Sequence, residues 1–138
     1  MADSPAIDVV STAAIGTGCP PAPQNSLSTY NLGFGSFTAQ QIFVSTNSGA
    51  AWIISNLPAV LALYLSTFTP FSIPLTNSAQ PLSGGITIDG SFVYVGGSDN
   101  NVHALSVANH NDSAQIAVAL KDGSGNTVTP NLVLVLPK

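Results

Sequence analysis

Apolar and polar residues alternate in short runs along this chain, and turn chemistry separates the runs. Ile86-Thr87-Ile88 precedes Asp89-Gly90 and Phe92-Val93-Tyr94-Val95 follows it, which predicts a hairpin of two β-rich runs around a tight turn. Ser98-Asp99-Asn100-Asn101 predicts the next turn, and residues 102–107 a third strand. Residues 109–113 are polar and read as a loop. Residues 114–120, with Ile116, Val118 and Leu120 at alternate positions, predict a fourth strand. No window longer than a few residues carries a helical period, so the chain reads as all-β.

The same four-strand unit occurs once more, upstream. Residues 41–45 form its first run, Thr46-Asn47-Ser48-Gly49 its turn, and residues 51–54 its second run, with Trp52 in the place of Tyr94. Asn56-Leu57-Pro58 is the next turn, followed by strands over 59–65 and 71–75. Trp52 and Tyr94 are 42 positions apart, as are Val60 and Val102. Ahead of this unit, residues 6–11 and 29–33 match only a third and a fourth strand, separated by a long Pro/Gly/Ser loop that carries Cys19. Behind the second unit, residues 131–136 match a first strand alone, and Pro130 corresponds to Pro81. A repeat unit cannot bury its apolar face by itself, so neighbouring units are expected to stack.

The spacing is close to the roughly 40–45 residues of a propeller blade. Ser83-Gly84-Gly85-Ile86-Thr87-Ile88-Asp89-Gly90-Ser91-Phe92-Val93-Tyr94-Val95-Gly96 resembles the YVTN-type β-propeller repeat and is similar to NHL repeats. Those repeats carry a Pro-Asp-Gly turn, a Tyr-Val strand and a Val-x-Val-Ile-Asp third strand. Here Ile88 stands where the Pro usually is, Gly96-Gly97 replaces Thr-Asn, and Leu105-Ser106 replaces Ile-Asp. The resemblance covers residues 38–120 well and implies a fold rather than an activity, because propellers host many functions.

It implies a partial β-propeller of four-stranded antiparallel blades: two strands of an incomplete blade in 1–37, blades in 38–78 and 79–122, and the first strand of a further blade in 123–138. A propeller closes with typically about four to eight blades. An unclosed array leaves an apolar blade face and unpaired strand edges at each end. Closure by homo-oligomerisation is the expectation, with residues 131–136 of one chain completing the incomplete blade of a neighbour. A dimer, giving a ring of about six blades, is favoured over larger rings.

Composition narrows the partners. The chain has 138 residues and a net charge of −4, with charged residues at 6% against roughly 25% in soluble domains. All the acids are Asp, the bases are Lys121 and Lys138, and residues 9–88 contain no ionisable Asp, Glu, Lys, Arg or His. That excludes a Lys/Arg phosphate footprint and with it a nucleic-acid partner. A surface kept soluble by Ser, Thr, Asn and Gly resists self-association weakly. Residues 50–65 are apolar, but Asn56-Leu57-Pro58 interrupts them and no Lys/Arg flanks them, so no membrane span is expected. Met1-Ala2-Asp3-Ser4-Pro5 lacks the basic and apolar regions of a secretory signal, so an exported parent would carry its leader elsewhere. Cys19, in Gly18-Cys19-Pro20-Pro21, is single and reads as a loop thiol without a role.

The residues that could carry chemistry are Asp89, Asp99, His103, His110, Asp112, Asp122 and, remotely, Asp8. Blade topology puts Asp99, Asp122 and His103 at one end of the blades and Asp89, His110 and Asp112 at the other. Asp89, Asp99 and Asp112 read first as turn formers, His103 as structural and His110 as a solvated loop residue. The functional alternative is a metal site, His103 with Asp99 or His110 with Asp112, holding a divalent ion such as Zn²⁺ or Ca²⁺ and activating water to hydrolyse lactones, esters or phosphate esters. No motif of the His-Glu-x-x-His kind, no nucleophile elbow and no phosphate-binding glycine loop is present. Three functions therefore stand: a self-assembling binding or scaffold module, a metal-dependent hydrolase, and a small-molecule or carbohydrate-binding propeller using Trp52 and Tyr94, residues that read more naturally as blade core.

Overall fold

The computed structural model describes the backbone of residues 6–10, 27–117 and 121–136, and the side chains of 30–116 and 121–136. The chain divides into two units, Met1–Ser36 and Phe37–Lys138. In the first, β1 (Ala6–Val10) pairs antiparallel with β2 (Leu27–Asn31), Ala6 opposite Asn31 and Val10 opposite Leu27. Two strands are expected in this region, over 6–11 and 29–33; β2 begins and ends two residues earlier than that. Cys19 and the Asp8 side chain lie outside the described residues.

The second unit holds two four-stranded antiparallel sheets, each a simple meander. β3 (Ala39–Ser45), β4 (Ala50–Ser55), β5 (Ala59–Tyr64) and β6 (Pro70–Pro74) form one. β7 (Pro81–Ile86), β8 (Phe92–Gly97), β9 (Asn101–Ser106) and β10 (Asn111–Ala117) form the other. The protein is thus all-β, and sequential four-stranded meanders of this kind are the arrangement expected of neighbouring propeller blades. The apolar stretch of residues 50–65 is β4 and β5, not a span, and no helix among the described residues is long and apolar enough to cross a membrane.

Strand alternation explains how the sheets meet. Trp52 pairs with Ala62 and Val60 with Ile73, so these side chains share one face of the first sheet with Ala50 and Ile54. Val93 pairs with Leu105 and Val95 with His103, so those four share one face of the second sheet. The two faces form a single core with Leu75 and Ala79 of the connecting segment. Trp52 is fully buried, its Nε1 donates to Ser48 Oγ at 3.0 Å, and its ring meets Phe71 edge-on at 5.5 Å. That satisfies the one polar atom of the largest core side chain.

Most boundaries lie within about two residues of expectation, and two differ in a way that has a physical reason. β7 runs Pro81–Ile86 rather than over 86–88; Thr87, Ile88, Asp89 and Gly90 form the turn, closed by Gly90 N donating to Thr87 O at 2.9 Å, and Ile88 is exposed. Ser83-Gly84-Gly85 has little β propensity, yet Gly85 and Gly96 are where residues 130–135 lie against the sheet. A Cβ on Gly96 would sit 1.7 Å from Pro130 O, so no side chain fits there. The second difference is β10, which begins at Asn111 inside the segment read as a loop, and shifts register between Asp112 and Ala114. Residues 118–120, the expected end of that strand, lie outside the described residues.

Residues 131–136 are in no sheet ladder. Val133 and Val135 are half-buried while Leu132, Leu134 and Leu136 are 82%, 76% and 73% exposed, an alternation of period two. Val133 N donates to Ser83 Oγ at 3.0 Å. The same kind of stitch joins the two sheets: the Gln41 amide accepts from Gly84 N and donates to Gly84 O, both at 3.0 Å. Gln41 and Ser83 are equivalent in the 42-residue repeat, so each first strand grips the backbone of the segment that follows it.

Candidate functional site

Two carboxylates of the second unit, Asp99 and Asp112, meet at His103. Its side chain lies on the face of β9 that meets the first sheet and is fully buried. Nδ1 is 2.6 Å from Asp112 Oδ2 and Nε2 is 3.1 Å from Asp99 Oδ1. Asp99 comes from the β8–β9 turn, where Asn100 takes a left-handed φ of 67°, a conformation Asn tolerates. Asp112 comes from β10; it sits opposite Leu105, two residues from His103, and therefore faces the same side. The side chains of Asp99 and Asp112 are 18% and 4% exposed. Gly97 makes room for the pair, since a Cβ there would stand 2.7 Å from His103 Nε2 and 2.6 Å from Asp99 Oδ1.

Asp112 also ties this cluster to the other sheet. Its Oδ2 accepts from Thr76 N at 2.9 Å and from Thr76 Oγ1 at 2.8 Å. Thr76 opens a single 3₁₀ turn, Thr76–Ser78, in the connection between β6 and β7. Oδ1 of Asp112 is buried and has no hydrogen-bond partner. Burial pushes the Asp99 carboxyl up, but hydrogen bonds from the Asn101 side chain, His103 and the Asn101 N–H together outweigh it and hold the carboxyl below its ordinary value. Each ring nitrogen of His103 thus faces one carboxylate oxygen, and the tautomer sets which nitrogen donates.

His110 is separate. It sits in the β9–β10 turn with φ of 51°, its Nε2 is 2.7 Å from the Tyr64 hydroxyl, and its ring stacks on Phe71 at 4.3 Å. The expected grouping of His110 with Asp112 is therefore corrected: Asp112 pairs with His103, and His110 with Tyr64 and Phe71. The division of these residues between two blade ends fails for the same reason. Asp112 is a strand residue whose side chain points at the neighbouring sheet, not a loop residue at the rim.

The other acids behave as turn formers. Asp89 accepts from Thr87 Oγ1 at 2.6 Å and Ser91 N at 2.9 Å, bonds that lower its carboxyl. Asp122 accepts from the Asn126 amide at 2.9 Å, Asn126 N at 2.8 Å and Ser124 N at 2.9 Å, with the same effect. Sequence spacing pointed to neither Thr76 nor Gln41; the only available signal for Gln41 was its equivalence to Ser83. The described residues contain no group of three His, Cys, Asp or Glu side chains that could hold a metal ion. Both His103 nitrogens face carboxylate oxygens, so a metal bond from this ring would need one of those contacts to open. Trp52 has no free ring face for a ligand, and Tyr94 is half-buried on the opposite face of the second sheet from Val93 and Val95.

No protein-family model and no curated protein matches the chain. Among solved structures, a chain from the crystal structure of a mitotic checkpoint complex superposes with a TM-score of 0.46 and 14% sequence identity, over 59% of this chain and 29% of that one. This chain therefore spans less than a third of the length of its structural match. At that level of likeness, the fold assignment rests on the two meander sheets and their shared core.

Proposed function

We propose that the chain is a binding or scaffold module: a partial β-propeller of the YVTN type, akin to NHL repeats, that assembles through its unfinished blades. Residues 38–78 and 79–122 are its blades. Residues 123–138 supply the first strand of a further blade, and residues 1–37 the last two strands of another. The observation that carries this reading is the repeated stitch. Gln41 binds the backbone of the following sheet at Gly84, and Ser83 binds Val133. Gly84 and Val133 are 49 positions apart, the same offset that aligns Pro81 with Pro130. In this reading residues 131–136 are a first strand; their alternate Leu side chains turn outward, and they have no ladder partner among the described residues.

A strand in that state is a template for pairing. In this reading the partner is a second copy of the chain, and two copies close a ring of about six blades. Static light scattering tests this: a dimer at micromolar concentration is expected, and a clean monomer would overturn the assembly. The hydrolase reading gains only the unpartnered Asp112 Oδ1, a place where a cation could sit, and metal analysis decides it.

A further inference from the structure

We infer that copies of this chain join through a specific apolar contact: Leu132 and Leu134 of one copy seat on Ile42 and Val44 of the next. This rests on the assembly proposed above and deepens it, because it names the two surfaces that meet and their register. The two junctions inside the chain supply the rule. Gln41 meets Gly84, 43 positions on, through a pair of hydrogen bonds. Ser83 meets Val133, 50 positions on. A Cβ on Gly85 would meet Val135 Cγ2 at 3.3 Å, again 50 positions on. Gln41 and Ser83 are offset by 42 and Pro81 and Pro130 by 49, so each contact runs one repeat plus one residue forward.

A residue of one first strand therefore faces the residue one place later in the next first strand. Leu132 stands in the place of Gln41 and Ser83, so its counterpart is the equivalent of Gly84, which in β3 is Ile42. Leu134 stands in the place of Phe43 and Gly85, so its counterpart is Val44. Both surfaces are open. Gln41 and Phe43 turn toward the second sheet, so Ile42 and Val44, which alternate with them on β3, turn away from it. Ile42 and Val44 are 57% and 60% exposed, whereas Ile53 and Ala51, their ladder partners on the same face, are buried. Leu132 and Leu134 project from the side of their segment opposite Val133 and Val135, and they too are exposed. Each pair is an uncovered apolar edge.

The chemistry of these edges selects a second copy as the occupant. Residues 9–88 and 123–137 contain no Asp, Glu, Lys, Arg or His, so a partner recognised by charge has nothing to read at either edge. A copy of this chain brings the complementary apolar edge with the repeat's own spacing. Leu132 and Leu134 are two residues apart, as are Ile42 and Val44, so both contacts form in one register. Large apolar side chains already meet this way inside the chain: Phe43 and Ile86, at the places corresponding to Leu134 and Val44, pack on one core. Burying the two edges against each other removes four exposed aliphatic side chains from water at each junction.

The test is the dimer dissociation constant of the full chain, read by analytical ultracentrifugation. Ile42→Lys and Leu132→Glu each put an unpaired charge into the junction and are expected to weaken the dimer at least about 100-fold. Both side chains are exposed within one copy, so the melting temperature of the dilute monomer should not fall. The two substitutions together in one chain are expected to return the dimer to within about tenfold of wild type, because the introduced carboxylate of one copy meets the introduced ammonium of the next. A wild-type dimer indifferent to either single substitution, or a double variant no tighter than the single ones, overturns this contact and leaves the assembly standing. A wild-type monomer overturns the assembly itself, and the contact with it.

Discussion

His103 Nδ1 lies 2.6 Å from Asp112 Oδ2, and through that oxygen a buried imidazole on β9 is joined to Thr76 in the connection from the neighbouring sheet. The contact fastens one sheet to the next. His103→Ala leaves Asp112 buried with one partner fewer, and breaking a buried pair in this way costs about 3–5 kcal/mol. Urea denaturation of the purified variant checks this. His110→Ala removes an exposed stacking contact and is expected to cost no more than about 1.5 kcal/mol. Equal losses for the two histidines would contradict the assignment.

The pH dependence follows from the lowered carboxyls of Asp89, Asp99 and Asp122. A group whose folded pKa is depressed adds stability above its unfolded pKa and loses it as pH falls through the folded value. Melting temperature should therefore fall with acidification below about pH 4, the ordinary carboxylate range. Asp99→Asn removes part of that acid limb. A melting temperature that stays level or rises from pH 4 downward would contradict it.

Gly96 tests the seat of residues 130–135. A Cβ there collides with Pro130 O, so Gly96→Ala must push that segment off the sheet. The expected cost is about 1–3 kcal/mol, with faster proteolysis confined to the C-terminal segment. Wild-type proteolysis kinetics in this variant would show that the segment does not rest where Gly96 admits it.

Metal content separates a structural His103 cluster from a catalytic one. The purified chain is expected to carry no stoichiometric Zn²⁺ or Ca²⁺, and ester hydrolysis is expected to be indifferent to chelator. Stoichiometric metal lost in His103→Ala would reverse that assignment.

Much of the fold was legible because the repeat carries it. Trp52 and Tyr94, 42 positions apart, sit at matching places on β4 and β8, and the turn at Asp89-Gly90 falls where its residues predict. The start of β7 was not legible: Ser83-Gly84-Gly85 lacks strand propensity because the backbone of another segment packs there, which is a tertiary demand. The His103–Asp112 pair was hidden for a similar reason. Asn111 and Asp112 look like loop residues, and the register shift between Asp112 and Ala114 sets which face each side chain takes. Thr76 could be found only once the sheets were stacked.

Hydrogen exchange at residues 131–136 tests the central claim most directly: in the proposed assembly the amides of this segment other than Asn131 and Val133, which already donate to Thr129 O and Ser83 Oγ, gain protection only by pairing with a partner strand. The account predicts that amides of this segment are protected in concentrated solution and lose protection on dilution, while those of β4 and β8 stay protected throughout. Fast exchange of residues 131–136 at every concentration, with β4 and β8 still protected, would contradict it.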